Sequence, residues 1–221
     1  MNRKYYLIPL TVVLACFLLA FVMRNSYTDV NQGVYQYRVG GNGDWGTVFQ
    51  QEKIHSVKDL TDRSDLIVRA KFSGKRLIRD TGFYSTVQVC KVYKGDQSLK
   101  GKDIIVTESL NVITETKFIN ETLMPMWIPL QKDSEYLLLL KKVPFHSQRT
   151  LNDFQRSQYY PVTNSPAGCY RVSNSRQTKI MDPDKVYTIK NLQGMDLFAV
   201  NRQVLNTYYQ YKEQVFKMVG A

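Results

Sequence analysis

The sequence predicts a mainly β domain, with a transmembrane helix before it and an amphipathic helix after it. Three observations support this prediction. Residues 5–23 carry no charge, residues 65–172 alternate between strand-like runs and turns, and apolar side chains recur at spacings of three and four near the carboxyl end. The composition, 43% hydrophobic and 22% charged residues, is that of a folded protein.

The amino-terminal apolar stretch, 5–23, is long enough to cross a hydrocarbon layer of about 30 Å as a helix. Arg3 and Lys4 precede it, and basic residues favour the cytoplasmic side. A cleaved signal peptide is the alternative, but residues 23–25 offer no small-residue cleavage site. We therefore expect a single-pass anchor in the cell membrane, with the C-terminal domain on the extracytoplasmic side.

The strands follow in order from a short helix, for which Ser56 and Asp59 resemble a capping box. In residues 64–72, SDLIVRAKF, apolar side chains occupy alternate positions, as in a strand with one buried face. A reversal at Asp80 and Gly82 predicts an antiparallel partner. Further strands are predicted at YSTVQVCKVY, DIIVTES, EYLLLLKKV and YYPVTNSPAGCYRVS, of which EYLLLLKKV is apolar on both faces and therefore central.

The carboxyl-terminal segment predicts a helix of about 20 residues that packs on the strands. Asp196 is expected to cap its start. Its apolar stripe comprises Leu197, Val200, Val204, Tyr208, Tyr211 and Val215. The predicted organisation is an anchor or signal sequence over 1–24, a linker over 25–54 with a short hairpin at 40–46, a β domain over 55–180 and a helical extension over 181–221.

Residues 64–72, followed by Val89-x-x-Val92-Tyr93-Lys94-Gly95, resemble the opening of the netrin-like domain, best known from the tissue inhibitors of metalloproteinases. The resemblance covers roughly residues 65–172 and implies a five-stranded Greek-key OB-fold barrel, as in uncharacterised bacterial membrane-anchored envelope proteins. Those inhibitors chelate the protease zinc through an amino-terminal cysteine. Neither that cysteine nor the disulfides of the family are present here, so the fold is expected and the inhibition is not.

Histidines and cysteines predict neither a metal site nor an active site. His55 and His146 have no second ligand at a zinc-site spacing. Ser147, His146 and Asp153 are the residue types of a catalytic triad, but no sequence signature supports that role. No phosphate-binding loop motif occurs. Cys90 and Cys169 are left open as a disulfide or as two separate buried thiols. We therefore expect a protein that is not an enzyme and needs no cofactor.

The net charge favours anionic partners. With Arg3 and Lys4 set aside, 28 basic residues face 19 acidic ones. Outside a membrane this charge favours anionic envelope polymers, lipid head groups or acidic proteins, and the predicted topology argues against nucleic acid unless DNA is met outside the cell. The alternative is that the excess positive charge only keeps the domain soluble beside a membrane.

Two segments are candidates for binding. The connection over 116–134 contains an apolar group, Leu123, Met124, Met126, Trp127 and Ile128, which is typical of a contact loop or, alternatively, of a lid that completes the core. The first hairpin and its returning strand contain basic residues, with Tyr84 or Tyr93 available for stacking. These basic residues are Lys71, Lys75, Arg76, Arg79, Lys91 and Lys94, and the alternative is a solvated strand face.

The sequence thus predicts a non-catalytic, membrane-anchored binding module at the cell envelope, with a protein or an anionic polymer as its partner. One alternative is a protease-inhibitor-like protein that acts without the amino-terminal cysteine. Another is an envelope hydrolase with an unrecognised site.

Overall fold

The computed structural model describes residues 12–22, 33–40, 49–50, 52–79, 82–108, 110–113, 118–120, 128–145, 150–173, 175–182 and 184–221. Contacts divide the chain into two units, Met1–Gln32 and Gly33–Ala221. The first unit contains helix α1, residues 12–22. The second unit contains the strands.

Helix α1 leads to a correction of the predicted transmembrane anchor. Among the residues that the structure describes, no helix has both the length and the apolar character that crossing a membrane requires. The N-terminal transmembrane helix predicted over 5–23 is therefore not supported.

The second unit is built mainly from strands, with helices before, within and after them. The helices are α2 Val57–Arg63, α3 Asp153–Arg156 and α4 Arg202–Val219. The strands are β1 Arg38–Gly40, β2 Leu66–Arg79, β3 Gly82–Lys94, β4 Asp103–Glu108, β5 Asn111–Ile113, β6 Phe118–Asn120, β7 Ser134–Lys142, β8 Gln158–Pro161, β9 Cys169–Arg171 and β10 Tyr187–Thr188. Short 3₁₀ turns occupy Val34–Gln36, Gln97–Leu99, Pro166–Gly168 and Ile189–Leu192.

Five strands close into a barrel. Their order is β2-β3-β4-β8-β7, and β7 pairs back onto β2. Strands β4 and β8 run parallel, whereas the other neighbours in the barrel are antiparallel. This closed mixed barrel with its C-terminal helix agrees with the mainly β prediction, and it is consistent with an OB-fold.

Strand β7 is buried on both faces, as its sequence predicts. Every residue from Tyr136 to Leu140 is buried. Leu137 and Leu139 pack in an outer cluster with Ile67 and with side chains of α2 and α4. Because successive side chains alternate, Tyr136, Leu138 and Leu140 face the barrel interior.

The short helix before β2 begins as predicted. The Oγ atom of Ser56 accepts a hydrogen bond from the backbone N–H of Asp59 at 3.2 Å. The carboxylate of Asp59 accepts from the backbone N–H groups of His55 and Ser56 at 2.8 and 3.0 Å. These hydrogen bonds, of which that from His55 has the largest effect, lower the pKa of Asp59. The capping box is therefore confirmed.

The turn after β3 requires glycine at position 95. Gly95 has φ +99°, and a Cβ atom there would lie 2.7 Å from the carbonyl oxygen of Asp65. Both the backbone conformation and the close approach exclude a side chain.

The turn at the other end of the β2–β3 hairpin is flanked by Arg79 and Gly82, which pair directly. Residues 80 and 81 lie outside the described part.

A second sheet has the order β10-β1-β6-β5. Strand β1 pairs in parallel with β6 and antiparallel with β10. Residues 38–40, which were predicted to be linker, thus form a strand that pairs with β10, a part of the predicted helical extension. The hairpin predicted at 40–46 falls outside the described residues, apart from Gly40 at the end of β1, and the domain boundaries stay a prediction.

Helix α4 starts later than the sequence predicts. It begins at Arg202, and the side chain of Asn201 caps it by accepting a hydrogen bond from the backbone N–H of Val204 at 2.8 Å. Asp196 does not cap the helix. Its carboxylate instead accepts hydrogen bonds from the Tyr209 hydroxyl at 2.9 Å and from Lys212 Nζ at 3.2 Å.

We predict that Asn201→Ala lowers the free energy of unfolding by about 1 kcal/mol, because the cap is lost. Urea denaturation followed by circular dichroism measures this change. Asn206→Ala, at an exposed position within the same helix, is the matched control and should not destabilise the protein. Equal stability of the Asn201 variant and the wild type would contradict the assigned helix start.

Candidate functional site

The basic residues predicted to form one face lie in different places. Lys94 is used within the fold, because its Nζ atom donates to the carbonyl oxygens of Thr61 and Asp62 at 2.8 and 2.9 Å and so closes the end of α2. Lys91 lies over the ring of Tyr93, with Nζ 4.4 Å from the ring centroid. Neither arrangement requires a ligand.

Arg76 is buried at one end of the barrel. Its Nη2 atom lies 2.8 Å from Oε1 of Glu108, and the two side chains are 8% and 0% exposed. The guanidinium also donates to Ser85 Oγ at 2.9 Å and to the Leu130 carbonyl at 2.7 Å. Glu108 Oε2 accepts from the backbone N–H of Leu130 at 2.8 Å. Arg76 therefore joins β2, β3, β4 and the segment 128–130 and does not face solvent.

Residues 128–130 belong to the part of the predicted contact loop that the structure describes. Ile128 is 7% exposed and Leu130 is 2% exposed, so both side chains contribute to the core. This burial agrees with the lid alternative for Ile128. The other residues of the predicted apolar group, Leu123, Met124, Met126 and Trp127, lie outside the described residues.

We predict that Glu108→Ala lowers the free energy of unfolding by about 3–5 kcal/mol, because it leaves the Arg76 charge buried without its partner. The double variant Arg76→Met/Glu108→Met should lose less, since no unpaired charge remains. Lys75→Met, at the exposed neighbouring position, is the control and should change stability by less than about 0.5 kcal/mol. Chemical denaturation measures the free energy of unfolding of each variant. If the double variant lost as much stability as the substitutions at Arg76 and at Glu108 lose separately when added together, this coupling would be contradicted.

A mixed basic and apolar surface covers the outside of the β2–β3 hairpin. Lys75, Leu77 and Arg79 are exposed at alternate positions of β2, whereas Ile78 is buried. Alternation along the regularly paired residues 76–79 places Leu77 and Arg79 on the outer face, and Lys75 is exposed in the irregular stretch just before them. Tyr84 pairs directly with Leu77, and its ring lies 5.7 Å from that of Phe154 in α3. We call Lys75, Leu77, Arg79, Tyr84 and Phe154 the hairpin face.

The hairpin face is the candidate functional site because it exposes large apolar side chains between positive charges. Leu77 is 42% exposed and Phe154 is 36% exposed. Lys75 and Arg79 lie on either side of Leu77, whereas Arg156, two residues after Phe154, forms an ion pair with Asp153 at 3.0 Å. Such a surface suits a ligand that offers both ring faces and negative charge.

Sequence reasoning missed Phe154 and Leu77. Phe154 belongs to α3, which the sequence signals through Asn152 and Gln155. The Asn152 side chain accepts from the backbone N–H of Gln155 at 2.8 Å, and Gln155 Oε1 accepts from the backbone N–H of Asn152 at 3.1 Å. This capping box was the available signal for a helix.

The cysteines are free in the structure. Cys90 is partly exposed on β3, whereas Cys169 on β9 is buried. Burial raises the pKa of the Cys169 thiol well above its usual value. Of the two alternatives that the sequence left open, the structure therefore has the separate thiols.

We predict that N-ethylmaleimide modifies Cys90 in the native protein at least about tenfold faster than Cys169. The thiolate is the form that reacts, and burial both disfavours the Cys169 thiolate and shields its sulfur from the reagent. Peptide mass spectrometry measures both rates. Equal rates, or a peptide that contains a Cys90–Cys169 disulfide, would contradict the structure.

The residues considered for a metal site or a catalytic triad lie partly outside the described residues. His55 is exposed, and His146 and Ser147 lie outside the described residues. Within the described ranges, no group of three or more His, Cys, Asp or Glu side chains is arranged to hold a metal ion. The expectation that the protein is not an enzyme stays a prediction.

No protein-family model matches the chain, and no curated protein matches it in sequence. The netrin-like resemblance therefore stays a prediction from the residues that carry it.

Proposed function

We propose that this protein is a non-catalytic binding module that holds an anionic polysaccharide across the hairpin face. The observation that carries the proposal is the exposed Leu77–Tyr84–Phe154 surface, flanked by Lys75 and Arg79. An exposed apolar patch rimmed by polar groups is typical of a binding site.

The position of the hairpin face supports the proposal. OB-folds bind oligosaccharides and oligonucleotides on their second and third strands and on the loops after the first and fourth strands. When the five barrel strands are counted in chain order, Tyr84 lies on the second strand, Leu77 leads into the first loop, and Phe154 belongs to the loop after the fourth strand, β7. The same arrangement of strands and loops supports our proposal that the barrel is an OB-fold of the netrin-like type.

The spacing of charges favours a polysaccharide over a nucleic acid. Lys75 and Arg79 are four residues apart on one strand, which is about 13 Å at 3.3 Å per residue. The apolar side chain of Leu77 lies between them. This arrangement suits a polymer with charge on alternate units and uncharged ring faces between them, whereas a nucleic acid carries one charge on every nucleotide. The extracytoplasmic location stays a prediction, since it was derived from the N-terminal segment.

The test is the affinity for hyaluronan, which carries one carboxylate per disaccharide, measured by isothermal titration calorimetry at several salt concentrations. We expect binding that weakens as salt rises, because Lys75 and Arg79 contribute electrostatic attraction. We expect Phe154→Ala and Tyr84→Ala each to lower the affinity roughly tenfold, the lower end of losses known for stacked aromatic side chains. Circular dichroism checks that both variants fold.

The matched controls are Lys179→Ala and Lys190→Ala, which remove the same charge as Lys75→Ala from exposed positions outside the hairpin face. The control variants should bind as the wild type does, whereas Lys75→Ala should bind more weakly. Equal losses in all three lysine variants would show that only net charge matters. Tighter binding of single-stranded DNA than of hyaluronan would replace the polysaccharide with a nucleic acid.

A further inference from the structure

The outer face of the barrel changes from apolar to charged along β2 and β7. Ile67, Leu137 and Leu139 lie in the outer cluster that α4 covers. Farther along the same face, β2 presents Arg69 and Lys71 and β7 presents Glu135. Lys71 pairs directly with Glu135 in the strand register. The change occurs where the carboxyl-terminal end of α4 reaches the barrel.

A cavity with a mixed apolar and polar lining lies at this end of α4. The helix ends at Val219, and Gly220 takes a left-handed conformation with φ 67°. The cavity has a volume of about 220 Å³. Its lining combines aromatic and aliphatic side chains with one cation: Arg69, Tyr93, Leu137, Val172, Phe216 and Ala221.

A polar cavity of about 340 Å³ adjoins the first one, since Arg69 and Val172 line both. Its other lining residues are Lys71, Asp133, Ser134, Glu135 and Arg171. We call the two cavities together the α4-end groove. Three cations therefore face two carboxylates in the polar part, which leaves one positive charge in excess.

Among the described residues, Lys71 is the cation of this set that has neither an ion pair nor a side-chain hydrogen bond. Arg69 contacts Glu135 through Nε at 2.6 Å and through Nη2 at 2.5 Å. Arg171 Nη1 donates to the carbonyl oxygen of Gly194 at 2.7 Å. Lys71 is exposed and takes part in none of the ion pairs found among the described residues.

We propose that the α4-end groove binds a small amphiphile with one anionic group, such as a medium-chain carboxylate. The apolar body lies against Tyr93, Leu137 and Phe216, and the anionic group pairs with Lys71. The first cavity has the volume of about seven water molecules at roughly 30 Å³ each, and the seven carbon atoms of the octanoate chain are of similar size. The groove is separate from the hairpin face, because no residue of the hairpin face lines either cavity.

The test compares octanoate, octanol and acetate as ligands of the full chain by calorimetry. We expect octanoate to bind more tightly than octanol or acetate, because only octanoate fills the apolar part and also pairs with Lys71. Lys71→Met should weaken octanoate binding about tenfold, as expected for a lost charge-assisted hydrogen bond, and leave octanol binding unchanged. Lys190→Met is the matched control, since Lys190 is exposed and lines neither cavity, and it should bind octanoate as the wild type does.

A second variant tests the apolar part. Val172 is partly exposed and lines both cavities, so Val172→Phe fills the groove without entering the core, and it should abolish octanoate binding. Circular dichroism and hyaluronan binding show that this variant is folded and that the hairpin face is intact. Octanoate binding that survives Val172→Phe, or equal affinities for octanoate and octanol in the wild type, would overturn the proposal.

Discussion

A buried ion pair between Arg76 and Glu108 fixes the end of the barrel on which the hairpin face depends. Moving two charges out of water costs several kcal/mol for each ion, and their mutual attraction offsets this cost only when hydrogen bonds satisfy both groups. Leu130 supplies such bonds through its N–H and its carbonyl, and Ser85 supplies another. Because Arg76 points inward, alternation along β2 turns Leu77 outward.

Helix α4 divides the remaining outer surface. Where it packs on the barrel, β2 and β7 present Ile67, Leu137 and Leu139, whose burial stabilises the fold. Where the helix ends, the same strands present charged side chains and the groove opens. The proposed polysaccharide site and the proposed amphiphile site are thus two parts of the barrel surface that α4 leaves uncovered.

Local patterns predicted much of the fold. The alternation in β2 and the capping box at Ser56 each depend on neighbouring residues alone, and both predictions agree with the structure. The start of α4 was predicted wrongly because Leu197 packs in the same cluster as the helix, so its spacing resembles a helical stripe. Arg76 was misassigned because its buried partner, Glu108, is 32 residues away, and no sequence pattern reveals such a pair.

The most direct test of the central claim, that the outer β2–β3 surface is a binding site, is an NMR titration of the isotope-labelled protein with hyaluronan oligosaccharides. The account predicts that the largest amide shifts fall on residues 75–79 and 82–86 and on Phe154, and that the amides of α4 stay in place. Shifts centred on another surface, or no shifts at oligosaccharide concentrations far above those of the protein, would contradict it.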